Sequence, residues 1–248
     1  MPASEKTASE TLADRAYNAI ADAIVCGELA AGARISEALL AKRFQIGRGP
    51  LREALRRLEG RRLVMVKPNA GARVVSLSTR DVIELFEIRE ILESRACQLA
   101  TERMLDSEID ALEALLDTHD NDHESGRATS RTAKAPDFHT AIVRGSKSNQ
   151  LISLLCSELW DLLRIYRVKS SGEVGRTEAA FREHREIVQA MRERDAERAA
   201  FLMGRHIRKA RSNLLRLEGI TSLIMSEAEM EDQAKTEPRA RKKAPRPS

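Results

Sequence analysis

The chain has 248 residues, 42% hydrophobic but only 3% aromatic, and a formal net charge of +4. That length suits two ordinary domains, and the apolar content suits cores of Leu, Ile, Val, Ala and Met, which favours helices over a β-sandwich. Three scattered cysteines, Cys26, Cys97 and Cys156, exclude a disulfide framework. No run approaches the 18 uncharged apolar residues of a membrane span, so a soluble, cytoplasmic protein with no membrane partner is expected.

Residues 1–10 are expected to be a flexible N-terminus. From 11 to 26 the pattern is helical, with Leu12, Ala16, Ile20, Ala23 and Ile24 on one face and Gly27 placed to stop it. A turn at 30–33 leads to Ser36, a helix N-cap. Residues 36–58 then read as two short helices broken at Gln45-Ile46-Gly47. Two β-prone runs, 63–66 and 72–75, flank Lys67-Pro68-Asn69-Ala70-Gly71, which is hairpin-turn chemistry. Three helices and a hairpin over residues 11–77 make a winged helix-turn-helix.

Ser78, with Asp81 three residues on, opens a second region, 78–226, that is helical in period throughout. Helices are expected at 80–103, 107–120, 136–145, 149–168, 177–194 and 196–217, with a loop or frayed end at 120–136. Amphipathic helices in a row must bury their faces on one another, giving an antiparallel bundle. Residues 227–248 lose the period and carry Arg239, Arg241, Lys242, Lys243 and Arg246 among prolines, a disordered basic tail.

Charge is unevenly spread: residues 1–77 hold 13 Lys and Arg against 8 Asp and Glu. The second of the two short helices buries Leu51, Ala54, Leu55 and Leu58 at i, i+3, i+4 and i+7, while Arg48, Arg52 and Arg56 repeat every four residues on a neighbouring strip. Such a row can be a solvated face. It also fits a nucleic-acid major groove, because the guanidinium fork pairs with guanine O6 and N7 or with phosphate.

Within the bundle, His139, His184 and His206 sit in apolar stripes of three different helices. One buried histidine is ordinary core; three neutral imidazoles that converge can hold a divalent transition metal with an open position. His119 and His123 share a face in a solvated stretch and are weaker metal candidates. Arg89, amid the apolar face that Val82, Leu85, Phe86, Ile88, Leu92, Ala96 and Leu99 form on the 80–103 helix, can clamp a carboxylate or pair with Glu93 four residues on. An enzyme built on the histidines and a nonspecific nucleic-acid scaffold are the competing classes; H-E-x-x-H, G-x-S-x-G and P-loop motifs are absent from the sequence.

The runs Leu40-Ala41-Lys42-Arg43-Phe44, Gly47-Arg48-Gly49-Pro50-Leu51-Arg52-Glu53-Ala54-Leu55-Arg56 and Asn69-Ala70-Gly71-Ala72-Arg73-Val74 resemble the GntR family of bacterial transcription regulators. Glu87-Ile88-Arg89, Phe138-His139, Glu183-His184-Arg185 and Arg205-His206 resemble the C-terminal effector-binding (FCD) domain of its FadR-like subgroup. The resemblance implies a homodimeric repressor on a pseudo-palindromic, double-stranded operator, released or tightened by a small organic acid beside a metal, with zinc or nickel expected. It assigns DNA contact to Arg48, Gly49, Arg52, Arg56 and the wing-tip Gly71, effector contact to Arg89, and metal ligation to His139, His184 and His206. Two departures stand out. Gly47 and Gly49 replace hydroxyl residues that cap the helix and touch the DNA backbone, and Ala135 occupies the position of an Asp ligand.

Overall fold

The structure is a computed structural model, and it describes residues 10–67, 71–124, 137–170 and 175–217, the side chains of 119–124 excepted. It is mainly α: a small winged helix-turn-helix head is followed by a bundle of helices.

The head contains α1 (Leu12–Val25), β1 (Arg34–Ile35), α2 (Glu37–Phe44), α3 (Arg48–Gly60), β2 (Val64–Lys67) and β3 (Gly71–Val74). Local chemistry sets the helix ends. Thr11 and Asp14 form a reciprocal capping box at the start of α1, and Ser36 caps α2. The break between α2 and α3 turns on Gln45, at φ +53°, a left-handed conformation that ends the helix. The hairpin pairs Val64 with Val74 and Lys67 with Gly71; its tip, 68–70, lies outside the described residues.

The sequence pattern missed β1. Arg34 and Ile35 pair antiparallel with Arg73 and Ala72, giving the sheet order β1-β3-β2. Two residues are too few to carry an alternation. Leu12, expected inside, is half exposed because α1 begins beyond the edge of the core. The head core is Ala16, Ile20, Ile24, Leu40, Leu51, Leu55, Leu58 and their neighbours.

The bundle opens with α4 (Thr79–Arg103), started by the expected Ser78–Asp81 capping box. It continues through α5 (Asp106–Glu124), α6 (Phe138–Gly145), α7 (Asn149–Ser153), α8 (Trp160–Ser170), α9 (Arg176–Arg192) and α10 (Ala196–Leu217). The long helices α4 and α10 lie side by side. At Gly204 a side chain would bring its Cβ within 3.0 Å of Ser94 Oγ, so glycine permits the close approach.

Two expectations change here. The single helix at 149–168 is three pieces, because a π-helical turn at Leu154–Glu158 separates α7 from α8. On α4, Ile88, expected on the apolar face, is exposed, while Arg89 is buried there as expected. A charged network, described below, draws Arg89 inward and rotates the apolar stripe away from Ile88. The 120–136 loop survives only in part, since α5 runs to Glu124 and 125–136 lie outside the described residues, as do Ala135, the tail and the side chains of His119 and His123.

Head and bundle touch through α1 and α8. Tyr17 donates to Asp161, Arg164 pairs with Asp22 at 2.9 Å, and Ile165 packs against both hydrophobic cores. Burial and the neighbouring Asp161 carboxylate push the Tyr17 hydroxyl well above its ordinary range, so it stays a donor.

Candidate functional site

On α3, Leu51, Ala54, Leu55 and Leu58 face inward and are buried. This anchors the opposite strip, and Arg48, Arg52 and Arg56 are all exposed. Among the described residues Arg48 and Arg56 pair with no carboxylate, and Arg52 Nε reaches Glu37 at 3.1 Å in a pair open to solvent. Such surface pairs contribute about 0–1 kcal/mol and exchange readily for a stronger anion. Other arginines of this basic run are occupied: Arg57 lies 4.8 Å over the Tyr17 ring and bonds Asp14 at 2.7 Å, and Arg43 pairs with Glu28.

Gly47 caps α3 without a side-chain hydrogen bond, so the first N–H groups of the helix stay open to a partner. A side chain at Gly49 would meet nothing within 4 Å, so the missing hydroxyl is not forced by packing. Gly71 begins β3 at φ +78°, where glycine is favoured, next to the hairpin tip.

In the bundle, α6, α9 and α10 bring His139, His184 and His206 together, with one ring nitrogen from each lying within 4.8 Å of the others. His184 Nε2 and His206 Nε2 are 3.3 Å apart. A tetrahedral ion with bonds of about 2.05 Å holds adjacent nitrogens roughly 3.3 Å apart. Two of the other ring nitrogens are taken. His139 Nδ1 bonds Glu93 at 2.6 Å, and His206 Nδ1 bonds Glu183 at 2.6 Å.

Those two carboxylates are ionised. Burial alone would raise Glu93, but Arg89, His139 and Arg167 together hold it well below the usual carboxylate range. Glu183, also opposed by burial, is drawn down to about 2 by His206, Lys209 and Arg176. An ionised carboxylate can only accept, so each Nδ1 carries the proton and each Nε2 keeps its lone pair for the centre. Burial lowers all three imidazoles, His139 to about 4, and keeps them neutral as ligation requires. His184 Nδ1 is buried with no hydrogen-bond partner.

Arg89, 2% exposed, bonds Glu93 at 2.6 Å and brings its NH2 to 3.4 Å from His139 Nε2. Of the two sequence readings, the intramolecular pair is present, and the guanidinium nevertheless borders the histidine cluster. Asp137 caps α6 through the Thr140 N–H and pairs with Arg167 at 2.7 Å, so both its oxygens are committed away from the histidines. Sequence reasoning missed the roles of Glu183, Arg167, Arg176 and Lys209. Among the described residues paired around the three neutral rings, four cations (Arg89, Arg167, Arg176, Lys209) meet three carboxylates (Glu93, Asp137, Glu183), one positive charge in excess.

Residues 12–74 match the bacterial regulatory proteins of the gntR family, and residues 84–209 match the FCD domain. The chain is 32% identical to the HTH-type transcriptional regulator YdhC of Bacillus subtilis (strain 168), over 74% of this chain and 82% of that protein. This chain belongs to the GntR family. Another GntR-type relative is the HTH-type transcriptional repressor GlaR of Escherichia coli (strain K12), 30% identical over 77% of this chain and 90% of GlaR. The solved structure of E. coli McbR/YncC shares the fold, with a TM-score of 0.71 at 22% identity, covering 84% of this chain and 99% of that one. As a GntR protein with an FCD domain the chain is a DNA-binding transcription regulator and not an enzyme, as the sequence reading expected. Among the described residues no helix is long and apolar enough to cross a membrane.

Proposed function

We propose that this protein is a cytoplasmic, homodimeric repressor of a catabolic or transport operon, with residues 11–77 as the DNA-binding domain and 78–226 as the effector-binding and dimerisation domain. Arg48, Arg52 and Arg56 read base edges and phosphates of a pseudo-palindromic operator, Gly49 lies against the DNA backbone, and Gly71 lets the wing approach it. The single observation that carries this reading is the row of exposed arginines on α3, held outward by the buried Leu51, Leu55 and Leu58 on a gntR-type head. Repression follows the naming of GlaR.

In the bundle, His139, His184 and His206 would hold a divalent transition metal, zinc or nickel. Their donor set fits it: neutral rings whose nitrogens converge, two of them oriented by carboxylates. The ion would supply a Lewis-acidic anchor for one carboxylate oxygen of a small organic acid. Arg89 and the excess positive charge around the rings favour the same anion.

Coupling to DNA runs through α8. On one side its Arg167 bonds Glu93 at 3.1 Å and Asp137 at 2.7 Å, beside the histidines; on the other its Asp161, Arg164 and Ile165 hold α1 of the head. An anion that draws Arg89 from Glu93 leaves that carboxylate to Arg167, which shifts α8 and with it the spacing of the paired heads.

Genomic fragments selected by the purified protein are expected to share a two-fold site, and Arg52→Ala to weaken that site by about 1–3 kcal/mol in an anisotropy titration, with unchanged melting. Binding that depends steeply on salt and ignores sequence would instead mark a nonspecific scaffold. Unaltered operator affinity in Arg52→Ala would remove the reading.

A further inference from the structure

We propose that the joint between head and bundle is a second small-molecule site, which takes an apolar monocarboxylic acid of about one aromatic ring's bulk and, when filled, fastens the head to α8. The site is separate from the histidine centre, and its occupation does not depend on a metal there.

The joint is incompletely packed. Ile24 and Val25 at the end of α1, Leu63 and Val74 of the wing region, and Leu162 and Tyr166 of α8 line a cavity of about 190 Å³ whose walls draw on both hydrophobic cores. All six residues are buried, so the hollow is apolar within. An apolar cavity of about 150 Å³ already takes a benzene ring, and an empty one costs stability. A ligand with an apolar body of that size therefore stabilises the docked arrangement by filling it.

Two cations among the lining residues define the other half of the ligand. Arg62 comes from the head, just past α3, and Lys169 from α8, and both are exposed. Among the described residues neither pairs with a carboxylate, and no acidic residue lines the cavity. Lys169 Nζ instead lies 5.2 Å from the centre of the Tyr166 ring, over an aromatic wall of the hollow. Arg62 holds φ +57°, a left-handed conformation that glycine adopts more easily. The chain thus keeps a long cation where the backbone alone favours glycine. Elsewhere at the joint Arg164 of α8 has its opposite charge, Asp22, on the head. At the cavity two like charges, one from each side, border a single apolar hollow, and one anion between them would join the two sides. Volume and charge together select a small aryl or branched aliphatic carboxylate.

The test uses the full-length protein, with phenylacetate and its uncharged counterpart 2-phenylethanol as probes in calorimetry. Phenylacetate is expected to bind and to raise the melting temperature, and 2-phenylethanol to bind about tenfold more weakly. Cys26, exposed and among the lining residues, reports the position: N-ethylmaleimide should modify it quickly in the free protein and slowly with phenylacetate present, with Cys156 unaffected. Lys169→Glu and Arg62→Gly should each weaken phenylacetate about tenfold. Because glycine relieves the backbone at 62, an undiminished melting temperature of free Arg62→Gly shows that the loss is not unfolding. Protein stripped of metal by a chelator should bind equally well. Hydrogen exchange at the end of α1 and in α8 should slow together on binding; slowing in α8 alone would overturn the fastening. No saturable binding at millimolar phenylacetate, equal binding of the alcohol, loss of binding on stripping, or binding that leaves Cys26 reactive would each overturn the site. Slow modification of Cys26 in the ligand-free chain would show that the chain itself covers the cavity, and would overturn it as well.

Discussion

In the head, Arg48, Arg52 and Arg56 stand in water with one weak, exposed ion pair among them; in the bundle, His139, His184 and His206 lie buried in a web of paired charges. The head keeps its cations solvated, so losing one of them is expected to leave the fold alone and, on the function proposed, to act on DNA binding. The bundle has already removed its charges from water, and each ion there depends on its partners for the fold itself. The two regions should therefore answer differently to the same kind of substitution.

The sharpest way to break that contrast is Glu93→Ala. It removes the carboxylate shared by Arg89, His139 and Arg167, leaving two guanidinium groups buried without it. A loss of about 3–5 kcal/mol of stability is expected in a denaturant melt, against less than 0.5 kcal/mol for Arg52→Ala on the exposed face. Equal small losses would show that the bundle charges are as well solvated as those of the head.

Acidification of metal-free protein is the next largest effect. His139 falls from its ordinary 6.5 to about 4, and His184 and His206 are lowered as well, so between those pH values the unfolded chain binds more protons than the native one. Stability must then fall as pH drops from about 6.5 towards 4, by roughly 3 kcal/mol for His139 alone at about 1.4 kcal/mol per pH unit. Below about 4.5 the depressed carboxylates Glu93 and Glu183 add to the loss. Hydrogen exchange corrected for intrinsic rates should show α6, α9 and α10 opening at pH 5 while α1 and α3 stay protected. Uniform opening would contradict the burial of the imidazoles. The smallest effect is Gly47→Ser, where the added Cβ meets only Pro50 Cδ at 3.9 Å and the hydroxyl can cap α3. A gain of a few tenths of a kcal/mol is expected in thermal unfolding.

The same contrast explains what could be read from the residues alone. The arginine row, the leucines behind it and the caps at Ser36 and Ser78 are relations within a few positions of one chain, which helical periodicity and capping chemistry expose. The three histidines were legible as members of apolar stripes, and their convergence was an inference from having three. The carboxylates that orient them were not, because Glu93 meets His139 across 46 positions and Glu183 meets His206 across 23. No local period records such pairings. The exposure of Ile88 escaped for the same reason. Two residues of β1 and the π-helical turn after Ser153 are too short to impose a pattern that a window of sequence can detect.

The docking of α1 on α8 has a consequence for synthesis on the ribosome. The winged head emerges first, and Asp161, Arg164 and Ile165 are translated only after α4 to α7. A nascent head must therefore fold on its own core and, before the rest of the polypeptide exists, already displays its cationic helix to any nucleic acid nearby.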